Sequence, residues 1–381
     1  MAPGEPSFTL GIEEEYLLVD RATRDLVSEP PPEFFQRCES RLGERVTAEF
    51  LRSQIEVRTG VCRTMAEVAT QLTELRRAVG AIAAEFGMAP IAASTHPFAQ
   101  WQRQRHTAKD RYELLARDLQ GVARRLVIGG MHVHVAIEDV ELRIDLMNQA
   151  SYFLPHLLAL STSSPFWLGE ATGLKSFRLS VFDSLPRTGL PERFESHGDY
   201  ERLIGRLTGA GLIEDASKIW WDLRPSVRYP TLEMRITDVC TLLRDAVAIA
   251  ALYRCLLSML YRLRRQNQRW RIYPLLCLKE NRWRAERYGT SSTLVDFGLG
   301  QQVSYPRLLE EILALVAPDA AAFGCKDEVA ATRRIVVDGT SADRQLAVHA
   351  RSLAAGAAPA EALRGVVDWL IEATQPPAGP P

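Results

Sequence analysis

Lysine is scarce in this chain. Only Lys109, Lys175, Lys218, Lys279 and Lys326 stand among 46 basic residues, and the rest are arginine. Any phosphate clamp must therefore rely mainly on the forked guanidinium. Cysteine is also sparse. Cys38, Cys62, Cys240, Cys255, Cys277 and Cys325 form no Cys-x-x-Cys pair, which excludes the common zinc and disulfide frameworks and reads as reduced core thiols of a cytoplasmic protein. There is no Gly-x-x-x-x-Gly-Lys-Ser/Thr loop, no Gly-x-Gly-x-x-Gly, no His-Glu-x-x-His and no Gly-x-Ser-x-Gly elbow, so four common nucleotide, protease and hydrolase solutions are absent. The N-terminus shows no basic-then-apolar leader. The most apolar stretch, 246–263, is broken by Arg254 and Arg262 and reads as a buried amphipathic helix, not a membrane span. A net charge of −1 gives no reason to expect nucleic acid or an anionic membrane as partner.

What is present is a normal globular composition, 46% hydrophobic and 24% charged over 381 residues. One domain over 8–374, followed by a loose Pro-rich tail over 375–381, is the expectation. Strands are expected at 9–19, 49–59, 89–94, 130–137, 177–182 and 231–239, and helices at 65–86, 109–126, 140–160, 242–266, 305–316 and 360–373. Thr64 and Glu67 form a capping-box signal for the first helix. Pro90 and Pro97 bracket a short or edge strand. The Pro-, Gly- and aromatic-rich loops 95–108 and 183–230 are candidates to carry binding residues.

Three of the strands place acids and histidines where alternation puts one face. They are Gly11-Ile12-Glu13-Glu14-Glu15-Tyr16, Gly130-Met131-His132-Val133-His134-Val135 and Thr231-Leu232-Glu233-Met234-Arg235-Ile236-Thr237-Asp238. Side chains two apart share a face. Ile12, Met131, Val133, Val135, Leu232, Met234 and Ile236 then line a core. Glu13 with Glu15, His132 with His134, and Glu233 with Arg235 line the opposite face. A single polar strand face is most often just solvated, but two carboxylates on one face repel and call for a cation. Gln54 and Glu56 share a face of the second strand, whereas Glu49, seven residues from Glu56, falls on the other unless it precedes the strand or a bulge intervenes. An oxygen-rich set with few histidines suits magnesium or manganese more than zinc. With arginine nearby, the chemistry indicated is metal-dependent phosphoryl or acyl transfer. A metal-dependent hydrolase and a non-catalytic nucleotide or amino-acid binder are the rivals from other classes.

The ordered set Leu10-Gly11-Ile12-Glu13-Glu14-Glu15, Thr95-His96-Pro97-Phe98, Gly130 to Val135, Ser164-Pro165-Phe166-Trp167, Trp220-Trp221-Asp222-Leu223-Arg224-Pro225, Thr231 to Arg235 and Asn281-Arg282-Trp283-Arg284-Ala285 resembles the type 2 glutamate–cysteine ligase family, whose bacterial members are called carboxylate–amine ligases. The resemblance runs over roughly residues 8–370. It implies an α+β, glutamine-synthetase-like fold with an antiparallel, funnel-shaped sheet of about six strands and helices packed on one side. It implies ATP and magnesium, with glutamate as the usual acid and cysteine as the best-known amine, although other acid and amine pairs are used by relatives. A homo-oligomer is compatible with it. The family's metal positions fall on Glu13, Glu15, Glu49, Glu56, His132 and Glu233. Arg235, with Glu56, takes a catalytic position and faces the transferred phosphate. Arg178 is a second nucleotide-facing arginine, and His134 and Gln54 are substrate-facing. Two departures stand out: Ser164 where the family pattern has Asn, and Phe177 where it has Tyr.

Overall fold

A computed structural model describes residues 5–107 and 120–377. Seven strands form one antiparallel sheet: β1 (Leu10–Asp20), β2 (Val46–Ala48), β3 (Gln54–Arg58), β4 (Met88–Ile91), β5 (Met131–Ala136), β6 (Leu223–Pro225) and β7 (Thr231–Met234). Their order is β6-β7-β5-β1-β3-β2, and β4 pairs with the second half of β1 on the side that β5 occupies along the first half. β1 is thus the central strand. It meets β5 through Leu10–Glu14, β3 through Glu13–Leu17 and β4 through Leu17–Asp20.

Alternation works as the sequence indicates. Ile12, Tyr16, Met131, Val133, Val135, Leu232, Met234 and Ile236 are buried in one core with the apolar stripes of helices Met65–Glu85 and Leu243–Arg265. Thr64 caps the first of these through a complete capping box with Glu67. The second is long and apolar enough to cross a membrane by length and composition, yet 78% of its most apolar window is buried inside the protein. On the opposite face the far end of β1 turns apolar. Leu17 and Val19, with Ala89 and Ile91 of β4, are covered by Leu363, Val366, Val367 and Leu370 of helix Pro359–Thr374. Helices therefore lie mainly on one side of the sheet, with this one closing the other side at one end.

Glu14 points into the core, where alternation places it, and it is matched there. Arg76 donates from Nε to Glu14 Oε2 at 2.9 Å and from Nη2 to Oε1 at 2.5 Å, and Tyr16 Oη donates to the same carboxylate at 2.5 Å. The remaining Arg76 donors reach the carbonyls of Thr241 and Cys240 at 2.6 and 2.8 Å. The pair is fully buried, so every polar atom in it needs these partners.

Two expectations change. Residues Phe177–Phe182 form a helix, not a strand. The alternation Phe-Arg-Leu-Ser-Val-Phe fits either element over six residues. Ser164 decides it by satisfying two free N–H groups at the helix start: Phe177 donates to its carbonyl and Arg178 to its hydroxyl. The single strand 49–59 is instead a hairpin of β2 and β3, with Glu49 in the connection. Helix 109–126 falls largely outside the described residues, leaving Gly121–Arg124 helical. Residues 378–381 of the tail are also outside them. The stretch 140–160 is helical in two pieces, Val140–Ala150 and Leu154–Ser161. All six cysteines are free, and five are buried.

Candidate active site

Register brings the expected residues together across the sheet. Glu13 lies opposite His132 on β5 and opposite Arg58 on β3; Glu15 lies opposite Glu56; Glu233 lies opposite His134 on one side and Arg224 on the other. Each of these side chains is on the face away from the main core. The hairpin turn between β2 and β3 folds Glu49 back onto this face. Carboxylate oxygens of Glu15, Glu49 and Glu56 come within 4.8 Å of one another, and so do ligand atoms of Glu13, His134 and Glu233. The seven-residue spacing of Glu49 and Glu56 is thus resolved by a chain reversal, not a bulge.

The two groups differ electrostatically. Burial alone would raise the Glu13 carboxyl, but the ring nitrogens of His132 and His134 outweigh it and hold it well below the usual carboxylate range. His132 Nδ1 is 3.3 Å from Glu13 Oε2, and His134 Nε2 is 3.7 Å from Oε1. Burial, then Arg235, push His132 down to about 4. At neutral pH the His132 ring is therefore uncharged. The His132–Glu13 contact is therefore a hydrogen bond, not an ion pair. Glu233 is also held far down against its burial, by Arg235 and Arg224. In the other group, burial and the Glu49 charge raise Glu15 to about 7. Burial, then Glu49, Glu13 and Glu15, raise Glu56 well above its usual range. Like charges with no cation among them cannot all ionise in a buried site.

Arginines close the face. Arg224 grips Glu233 with both arms, Nε to Oε2 at 2.9 Å and Nη2 to Oε1 at 3.2 Å. Arg235 Nη1 donates to Glu233 Oε1 and lies 3.4 Å from His132 Nδ1. Glu233 is thus shared by two guanidiniums, which places it as an anchor for Arg235. Arg178, buried in the 177–182 helix, donates both Nη groups to the Arg235 carbonyl at 3.2 Å. Gly130 makes room for it, since a Cβ there would strike the Arg178 guanidinium. The Gly130 N–H in turn donates to Glu15 Oε2 at 2.7 Å.

Gln54 stands apart. Its amide donates to the Ile128 carbonyl at 2.6 Å and is buried, so in this structure it holds a loop. His134 Nδ1 is engaged with Thr231 Oγ1 at 2.9 Å. Ser164 Oγ donates to Asp238 at 2.8 Å, as does the Ser163 N–H, and Ser176 Oγ reaches the same carboxylate at 2.9 Å. Ser164 thereby ties the start of the Arg178 helix to the end of the β7 segment. Phe177 packs on Trp167, ring centroids 5.5 Å apart.

Sequence reasoning missed Arg224, Asp222 and Asp238. Arg224 carried a signal: it lies in the Trp-Trp-Asp-Leu-Arg-Pro segment, and its place opposite Glu233 follows once the β6–β7 hairpin is drawn.

Solved proteins share this arrangement of sheet and helices. A bifunctional glutathione synthetase from Pasteurella multocida superposes with a TM-score of 0.68 at 16% identity, over 96% of this chain and 52% of that one. A glutamate–cysteine ligase from Francisella tularensis, solved with AMP, gives 0.66 at 12% identity, over 97% of this chain and 89% of that one. The chain itself belongs to glutamate–cysteine ligase family 2, whose model matches residues 9–368. Relatives include the provisionally named glutamate–cysteine ligase 2 of Rhodospirillum rubrum, 60% identical over 98% of this chain and 97% of the relative. Its namesake from Jannaschia sp. is 53% identical over 96% of each.

Proposed function

We propose that this chain is an ATP-dependent carboxylate–amine ligase that activates a small carboxylic acid, the γ-carboxyl of glutamate first among candidates, as an acyl phosphate and joins it to an amine such as cysteine. The observation that carries the reading is the apposition of two acid groups, Glu13/His134/Glu233 and Glu15/Glu49/Glu56, with the guanidinium of Arg235. Divalent magnesium or manganese fits these residues. Among the described residues the buried His132 Nε2 and His134 Nε2 have no hydrogen-bond partner, and the carboxylate oxygens of Glu15, Glu49 and Glu56 lie within 4.8 Å of one another. Glu13, Glu15, Glu49, Glu56 and His132 would hold such ions, with Glu233 shared between metal and arginine. Bound there, they neutralise the polyphosphate of ATP.

The chain's own groups do the rest. Arg235 offers its fork to the phosphoryl group in flight, and Arg178 fixes the backbone from which Arg235 projects. Arg224 keeps Glu233 ionised when Arg235 leaves it for phosphate. A γ-carboxylate oxygen attacks the terminal phosphorus and ADP departs; the amine nitrogen then attacks the acyl carbon, phosphate departs, and the amine loses a proton. Membership of the ligase family and the absence of an activated protein nucleophile in the sequence support this order.

Glutamate carrying ¹⁸O in its γ-carboxyl tests it. One label should reach released phosphate for each amide formed, with ADP as the nucleotide product. AMP with pyrophosphate would mean adenylation and sink the reading. ADP formed only with another acid would leave the ligase standing and change its substrate.

A further inference from the structure

The Trp-Trp-Asp and Asn-Arg-Trp segments are not absorbed by the metal face, yet they meet. Arg282 Nε donates to Asp222 Oδ2 at 2.7 Å, and its Nη groups hold Asp183 at 2.7 and 2.9 Å and Glu286 at 2.7 Å. One buried guanidinium thus gathers three carboxyl groups, two of which, Asp183 and Glu286, line a cavity beside it. Burial raises the Glu286 carboxyl to about 8, even with Arg282 pulling it down and the neighbouring acids adding to the rise. The cavity has a volume of about 690 Å³, and its lining also includes the apolar Leu190, Leu203, Leu207 and Trp221 and the basic Arg187 and Lys279. Arg187 is turned to the Lys218 carbonyl and the Trp220 ring. Neither cation makes an ion pair among the described residues. No acid of the metal face lines this space.

Acid groups, unpaired cations and apolar side chains lining one cavity match a zwitterion with a greasy substituent. The volume lies in the usual range for small-molecule sites, roughly 300–1,000 Å³. We propose that this cavity is a second binding site, for an α-amino acid with an apolar side chain: its ammonium meets Asp183 and Glu286, its carboxylate meets Lys279 and Arg187, and its side chain lies on the leucines and Trp221. The site is wired to the catalytic face. The Asp222 carbonyl accepts from the backbone N–H of Arg235 at 2.8 Å and of Ile236 at 3.1 Å, so an occupant that draws on Arg282 bears on the segment that carries Arg235.

L-Phenylalanine serves as the probe, titrated calorimetrically into the full chain without nucleotide or metal. One saturable site is expected, with 3-phenylpropanoate (no ammonium) and 2-phenylethylamine (no carboxylate) each at least tenfold weaker. Lys279→Gln, at an exposed position that the fold does not need, should weaken phenylalanine tenfold or more, and Glu286→Gln likewise. Glu13→Gln should bind the probe as the parent does, which separates this site from the ligase chemistry. No binding by the parent chain, equal binding by Lys279→Gln, equal binding of 3-phenylpropanoate, or loss of binding in Glu13→Gln would each overturn the proposal.

Discussion

Arg178 stands directly behind Arg235: both of its terminal nitrogens donate to the Arg235 carbonyl at 3.2 Å. One arginine thus holds the backbone of another, and the pair separates two kinds of effect. Arg235→Lys keeps the charge but loses the fork. It should lower kcat by about 2–4 kcal/mol in the barrier, by analogy with loss of an oxyanion donor, with a smaller change in KM for ATP. Arg178→Lys should lower kcat less and leave the ATP concentration dependence nearly unchanged. Steady-state kinetics on both variants decide. Collapse of ATP affinity with kcat intact would limit Arg235 to ground-state binding.

The structure moves the site of charge repulsion. Alternation alone points to Glu13 against Glu15, yet Glu13 is relieved by two histidines, whereas Glu56 carries the unrelieved charge of Glu49, Glu13 and Glu15. Glu56→Gln should therefore raise the melting temperature of the metal-free protein near pH 8 while removing metal-dependent ATP turnover. Glu13→Gln should remove turnover without stabilising. Thermal melts with and without magnesium give the answer, and an unchanged or lowered melting point for Glu56→Gln counts against the charge assignment.

Stability of the metal-free protein should fall as pH rises from about 6.5 to 8. Glu15 at about 7, Glu286 at about 8 and Glu56 well above its ordinary 4.5 bind protons in the folded state that the unfolded chain has released. Their contribution is present below the unfolded value and is lost as pH climbs through the folded one. Buried His96, His132 and His156, each lowered to about 4 from 6.5, act oppositely, but only between those two values. Above 6.5 the acids are left alone, each contributing up to about 1.4 kcal/mol per pH unit. Denaturant midpoints at pH 6.5, 7.25 and 8 measure the slope. Saturating magnesium should remove the share of Glu15 and Glu56 and leave that of Glu286, and a midpoint that climbs across this window would contradict the assignment.

Arg76→Met should destabilise the fold by about 3–5 kcal/mol, the usual result of stranding one partner of a buried pair. Arg76→Met combined with Glu14→Leu should recover most of that loss. Urea denaturation of the single and double variants reads the coupling; additive losses would show that the pair is not a unit.

Much of the face was legible because a two-residue period is strict. Glu13, Glu15, His132, His134, Glu233 and Arg235 follow from alternation on three strands, and the structure gathers them. For Glu49 alternation leaves two routes open, a position ahead of the strand or a bulge, and the structure takes the first: Glu49 precedes β3 and is returned by the reversal between β2 and β3. The helix at Phe177–Phe182 was misread because six residues cannot separate the two periods and the deciding hydrogen bonds come from Ser164, thirteen residues earlier. Gln54 shares a face with Glu56 in register, but a loop carbonyl takes its amide. Arg224 and Arg282 depended on which strands and helices become neighbours, which local pattern does not encode.

β1 carries incompatible cargo on its two sides. Glu13 and Glu15 open toward the acidic face, and Glu14 between them is sealed against Arg76. Adding or deleting one residue ahead of Glu13 would turn the strand over. A carboxylate without its arginine would enter the core, and a leucine or isoleucine would sit among the acids of the opposite face. The central strand is therefore a reading frame: it tolerates exchange of side chains far better than a change of length, and loop engineering should leave its two ends untouched.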